Sequence, residues 1–231
     1  MNTLSKEKII AGVVVLAVAI GIGYSFMGKT KKAEVAVETP KVESVAKVNG
    51  VDITKAVYES QLANAISTLK AQGVNTDDAA KLTEIKNGVL NDLINNELLN
   101  QAVTASGVTA TADEVEKQVQ ALVAQVGGAD KFAAELAKAN LTEAQLRINI
   151  GKQLSVQKYL LSKIDVSTAT ASDAEVTKYY NDNVKGQKGA PSLKDATAQI
   201  KQLIINAKQQ QLVAAFIQTL RQSAKIEAGT I

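Results

Sequence analysis

The sequence predicts a mainly α-helical body, with a long C-terminal helix packing back on it and at most a short strand pair, carried behind one transmembrane helix. Three observations predict this. Residues 9–27 run for 19 positions without a charge. Three separate apolar-periodic stretches open on a Thr or Ser with a Glu or Gln three residues later, the capping-box signature of a helix start. The short, Val-rich segment 45–53 is cut by an Asn-Gly pair, which favours a tight hairpin.

Residues 1–8 form an N-terminal tail. The apolar run 9–27 (IIAGVVVLAVAIGIGYSFM), opening at Ile9 and closing at Met27, is long enough at about 1.5 Å per residue to span roughly 30 Å of bilayer hydrocarbon. A cleaved signal peptide would carry a shorter apolar core, about 7–15 residues, before a small-residue cleavage site. Tyr24, Phe26 and Met27 at the end of the run favour a retained anchor instead. No Cys follows, so a lipid-modified Cys is excluded as the tether. Lys29, Lys31 and Lys32 read as headgroup contacts, worth about 1 kcal/mol each on an anionic leaflet. Set against Lys6 and Lys8, they slightly favour a cytoplasmic body, although long domains translocate despite such charges.

Residues 28–44 mix Lys, Glu, Thr, Ala and Val with a Pro and read as a flexible stalk; the helical body follows over 45–231. After the hairpin-like 45–53, Thr54 caps a helix to 72, ended by Gly73. Thr76 is expected to cap a second helix through 106, whose Leu82, Ile85, Val89, Leu90, Leu93, Ile94 and Leu98 keep helical spacing; Gly107 ends it. Capping boxes at Thr111 and Glu114, Thr142 and Gln145, and Ser172 and Glu175 start helices over 112–126, 143–163 and 173–182, with a further helix over 129–139 after Gly127-Gly128. Leu146, Ile150, Leu154, Gln157 and Leu161 line one face of the helix over 143–163. The linker 184–191 (VKGQKGAP) precedes Ser192, which caps a last long helix to 223, and the tail 225–231 can add a short strand.

Composition narrows the chemistry. The 231 residues contain no Cys and no His, which removes disulfides, thiol nucleophiles, Cys/His zinc sites and imidazole acid–base catalysis. No Gly-rich phosphate loop, cofactor motif or metal-ligand spacing is present in the sequence. Asp77-Asp78 and Asp113-Glu114-Glu116 are the densest carboxylate groups, and both fall in first helical turns, where negative charge favours the helix dipole. The net charge of +3 argues against nucleic-acid binding, because residues 1–48 hold +3 beside the apolar run while 49–183 hold −5 and 184–231 hold +5. The two blocks of opposite sign are expected to pack on each other with their charges lining the contact.

The segments VAKVNGVDIT (45–54), VLNDLINNELLNQAVTASGVTATADEVEKQV (89–119), LTEAQLRINIGKQLSVQKYL (141–160) and ASDAEVTKYYNDN (171–183) come in the order of a known family. They resemble the N-terminal chaperone domain of SurA-type folding factors, a group that includes the membrane-anchored PpiD and the lipoprotein PrsA. In that family the Tyr-Tyr helix usually leads into a parvulin prolyl isomerase domain, after which a long helix returns to the chaperone domain. Here the linker 184–191 stands in that place, and the chain lacks the His a parvulin centre uses. The resemblance therefore implies a membrane-anchored, extracytoplasmic, ATP-independent holdase for unfolded or nascent secreted and envelope polypeptides, without isomerase activity, and a body outside the cytoplasmic membrane. The alternative is a structural or adaptor subunit of a translocon or envelope complex. A holdase needs exposed apolar surface with a polar rim, and the scarce aromatics Phe132, Tyr179 and Tyr180 are the candidate client contacts. Tyr179 and Tyr180, being adjacent on a helix, are not expected to face one core together; the other reading of all three is ordinary packing.

Overall fold

The computed structural model describes residues 43–229. The apolar run 9–27, nearly all of the stalk 28–44, and Lys29, Lys31 and Lys32 lie outside the described residues. Among the described residues no helix is long and apolar enough to cross a membrane. These residues form two compact units, one of 43–107 with 219–229, the other of 108–218.

The first unit opens on a hairpin of β1 (Ser44–Val48) and β2 (Val51–Thr54). Asn49 at φ 50° and Gly50 at φ 87° make the turn, the two left-handed positions a type I′ loop demands and Asn-Gly supplies cheaply. The chain tail adds β3 (Ile226–Ala228) to the other side of β1, so the sheet order is β2-β1-β3 and the sheet has three strands where a pair is expected. Register is antiparallel throughout, with Val48 opposite both Val51 and Ile226. Gly229 closes the sheet by donating its N–H to the Val45 carbonyl at 2.9 Å. A Cβ there would sit 2.7 Å from the Ser44 carbonyl oxygen, so only glycine allows this approach.

Helix α1 (Lys55–Ala71) starts from Thr54, whose side chain accepts from Val57 N–H, and α2 (Ala79–Ser106) ends on Gly107 in the left-handed conformation, both as expected. The start of α2 differs. Asp78, not Thr76, is its N-cap, accepting from Lys81 N–H at 2.8 Å. A carboxylate satisfies the free amide and the dipole together, which a hydroxyl does less well. Thr76 turns inward instead, with its Oγ1 buried and unpaired.

The core of this unit joins sheet and helices: Val45, Val48 and Ile53 pack with Tyr58 of α1 and Ile85, Val89, Leu93, Ile94 and Leu98 of α2. Leu220, Ala224 and Ile226 pack against it, and Arg221 donates to Asn95 Oδ1 at 2.7 Å and Asn91 Oδ1 at 3.2 Å. The end of the long C-terminal helix thus packs back on α2, as the sequence predicts.

In the second unit, α3 (Ala112–Val126), α4 (Ala129–Lys138) and α5 (Glu143–Lys163) enclose Val119, Phe132 and Ile150. A 3-10 turn (Val166–Thr168) leads to α6 (Asp173–Asn183), and α7 (Leu193–Ser223) follows the linker. All three expected capping boxes form, at Thr111, Thr142 and Ser172. Residues of α7 up to Gln218 belong to this unit and its last turn to the first.

Candidate apolar surface on the C-terminal helix

Helix α7 is fastened to the second unit by a small apolar cluster and two ion pairs. Ala196 and Ile200 are buried against Val176 of α6. Lys201 meets Asp173 at 2.8 Å, and Lys208 meets Glu175 at 2.6 Å while also donating to the Thr170 carbonyl at 2.7 Å. These are the contacts expected between the acidic and basic blocks. Glu175 also closes the capping box with Ser172, so the Lys208 hydrogen bond and then the Ser172 donors hold its carboxyl down to about 2.

Beyond Lys208 the character of α7 changes. From Gln209 to Leu220 (QQQLVAAFIQTL) there is no charged residue. Leu212, Val213, Phe216 and Ile217 are half-buried, and upstream Leu203 is 45% exposed. The Phe216 ring lies 5.9 Å from that of buried Tyr159 on α5, tilted by 58°, which is attractive edge-on geometry. Lys163 Nζ stands 5.7 Å from the other partner's ring centroid, that of Tyr159. The half-buried side of this stretch is thus apolar and its exposed side carries Gln210, Gln211, Ala214, Ala215 and Gln218, none of them charged.

Within that stripe lies Gln209. At about 100° per residue it falls between the directions of Leu212 and Val213, in line with Phe216 about two turns below and Ile205 about one turn above. It is 1% exposed, and neither its Nε2 nor its Oε1 has a partner. Gln157, on the apolar face of α5, has its Nε2 buried and unpaired as well. The sequence carries the signal for both, an amide interrupting an apolar stripe.

The expected contact residues Phe132, Tyr179 and Tyr180 take part in packing. Phe132 is 8% exposed inside the α3–α4–α5 core. Tyr179 and Tyr180 are half-buried, and both pack against the Val176–Ala196–Ile200 cluster, so the premise that neighbours on a helix cannot share a core fails here. The cluster lies at the junction of α6, the linker and α7, where Val184 and Leu193 also reach it, and Tyr180 Oη donates to the Pro191 carbonyl at 2.9 Å. Tyr180 thereby staples the linker.

The carboxylate groups are held in structural pairs. Asp78 caps α2, and Asp77 meets Lys70 at 3.3 Å. Glu114 accepts from Thr111 N–H at 2.7 Å and from Lys158 at 2.9 Å, which together lower its pKa. Glu116 is lowered by Arg147 at 2.6 Å and by Gln120. Among the described residues no group of three or more acidic side chains could hold a metal ion.

Comparison with known proteins agrees with this architecture. The model of the SurA-like N-terminal domain family matches residues 2–160. No curated protein matches the chain. Among solved structures, a chain from Campylobacter jejuni is similar with a TM-score of 0.50 and 14% sequence identity, covering 82% of this chain and 100% of that one. It comes from work on the virulence factor PEB4 and a periplasmic protein, described there as two structurally related SurA-like chaperones. At that identity the likeness speaks to the fold.

Proposed function

The chain belongs to the SurA-like N-terminal domain family, and from that premise we propose that it is a membrane-anchored, extracytoplasmic holdase. It shields unfolded or nascent secreted and envelope polypeptides, uses no nucleotide and carries no prolyl isomerase activity. The observation that carries this reading is the uncharged stretch from Gln209 to Leu220 of α7, with its half-buried Leu212, Val213, Phe216 and Ile217. A surface that binds many unfolded segments must offer apolar area without fixed charges that would favour one sequence and repel another. The ion pairs of Asp173, Glu175, Glu114 and Glu116 support a structural rather than catalytic use of the carboxylates. The tether is the apolar run 9–27, and the stalk places the body near an exporting translocon.

The purified full chain, held in nanodiscs, is expected to suppress aggregation of a chemically denatured client at stoichiometric ratios without nucleotide. No suppression at severalfold excess refutes the holdase. Because the chain has no Cys, a single introduced Cys on α7 gives a unique crosslinker site. Many unfolded clients captured in membranes support the holdase, whereas one dominant folded partner makes the chain an adaptor. Protease protection in spheroplasts with a tag after Ile231 tests the orientation: a tag protected until lysis puts the body in the cytoplasm.

A further inference from the structure

Gln209 is one of the largest fully buried side chains among the described residues, in the company of Ile53 and Val48, and it is the polar one. Both ends of its carboxamide are unpaired. A native interior rarely tolerates this, since an unmade hydrogen bond at a buried amide shifts the folding equilibrium roughly five- to a hundredfold toward the open form. Leucine or methionine at 209 would extend the stripe of Leu212, Val213, Phe216 and Ile217 and have equal or better helix propensity. The closed packing around α7 therefore carries a penalty that an ordinary apolar residue would remove.

The chemistry of the group says what would discharge it. A primary carboxamide presents an acceptor oxygen and a donor nitrogen side by side, and in an extended chain the N–H and C=O of one residue point to the same side, so the backbone of one residue satisfies both ends at once. Apolar side chains lie on either side to take the residues flanking that one, and no charged residue stands between Lys208 and Arg221 to oppose them. We propose that Gln209 is the point at which the second unit, on opening around α7, takes up the backbone N–H and C=O of one residue of an extended apolar client segment. The unpaired amide is what keeps that opening accessible. The uptake rests on the holdase reading above; the opening does not.

Hydrogen exchange of the full chain in nanodiscs, read by mass spectrometry without client, tests the opening. In Gln209→Leu the amides of residues 199–218 should exchange at least tenfold more slowly than in the wild type, and Gln209→Met should behave alike. Exchange that is unchanged or faster, or failure of both variants to fold, overturns the proposal, because the amide would then be holding the packing together. Aggregation suppression and binding of an uncharged, extended apolar peptide test the uptake. Both should fall severalfold in Gln209→Leu. Slower exchange with undiminished client protection overturns the backbone-binding site and leaves the holdase standing. A wild type that protects no client removes the holdase itself and the uptake with it.

Discussion

Asn49 ties three distant parts of the first unit together, and its replacement separates turn strain from hydrogen bonding. Its Oδ1 accepts from Lys225 N–H at 2.8 Å, its Nδ2 donates to Gln101 Oε1 at 2.9 Å, and its own N–H donates to the Lys225 carbonyl at 2.8 Å. Its φ of 50° is left-handed. Asn49→Gly keeps the backbone conformation without strain but loses both side-chain bonds. At roughly 0.5–1 kcal/mol each for exposed partners, the cost is about 1–2 kcal/mol. Asn49→Ala loses the same bonds and adds the left-handed penalty of a Cβ, about 1 kcal/mol more. For a unit of this size that extra 1 kcal/mol lowers Tm by about 4–8 °C. Thermal denaturation by circular dichroism should therefore rank wild type above Asn49→Gly above Asn49→Ala, and hydrogen exchange should show the Lys225 amide losing protection in both. Asn49→Ala melting at or above Asn49→Gly, or an unchanged Lys225 amide, would refute this account of the turn.

Three further outcomes are expected. Ile200→Ala, at a site only 2% exposed against Val176 and Ala196, should cost about 2–5 kcal/mol in urea denaturation; a loss under 1 kcal/mol would mean that the cluster does not anchor α7. The Glu175 carboxyl is depressed to about 2 from 4.5, so its contribution to stability is fully present above the unfolded value and is lost as pH falls from about 4.5 toward 2. Glu175→Gln should flatten that part of the stability–pH curve and leave the curve above pH 6 parallel to the wild type; an equally steep acid limb in the variant assigns the loss to other groups. Leu203→Ser, at a residue 45% exposed, should change stability by less than about 0.5 kcal/mol yet weaken client protection. Undiminished protection would exclude that part of α7 from the client surface.

What was legible in the sequence was local. The three capping boxes need only a side chain and an amide three residues apart, and all three form. The Asn-Gly turn is decided by two residues, and it too is present. Errors enter where neighbours compete or where partners are remote. Thr76 and Asp78 both offer a cap within one turn, and the choice went to the charged group while Thr76 was drawn inward. The third strand is not legible locally, because Ile226 finds Val48 across most of the chain, a pairing that no local pattern encodes. Residue type alone singles out Phe132, whereas its burial is set by Val119 and Ile150, which come from other helices to complete a core. At Tyr180 a backbone carbonyl eleven residues away gave the phenol a structural task. Gln209 was visible as an interruption of a stripe, but periodicity alone does not show that its amide lacks a partner.

The distribution of charge along α7 is the strongest link between fold and proposed work. Lys201 and Lys208 fix its first half by pairing with Asp173 and Glu175, and Arg221 fixes its last turn through Asn91 and Asn95. Between Lys208 and Arg221 the helix has no charged anchor. A helix selected only for stability could place ion pairs along this interval too, at little cost on the surface. A helix that receives apolar chains could not, because each bound segment would have to strip water from a fixed charge with no partner to offer in return. Charge therefore fastens the ends and is withheld from the middle. The same logic fits a glutamine at 209: its unpaired amide brings no charge into the closed packing yet can take a partner on opening, whereas a lysine or glutamate there would oppose closure and client alike.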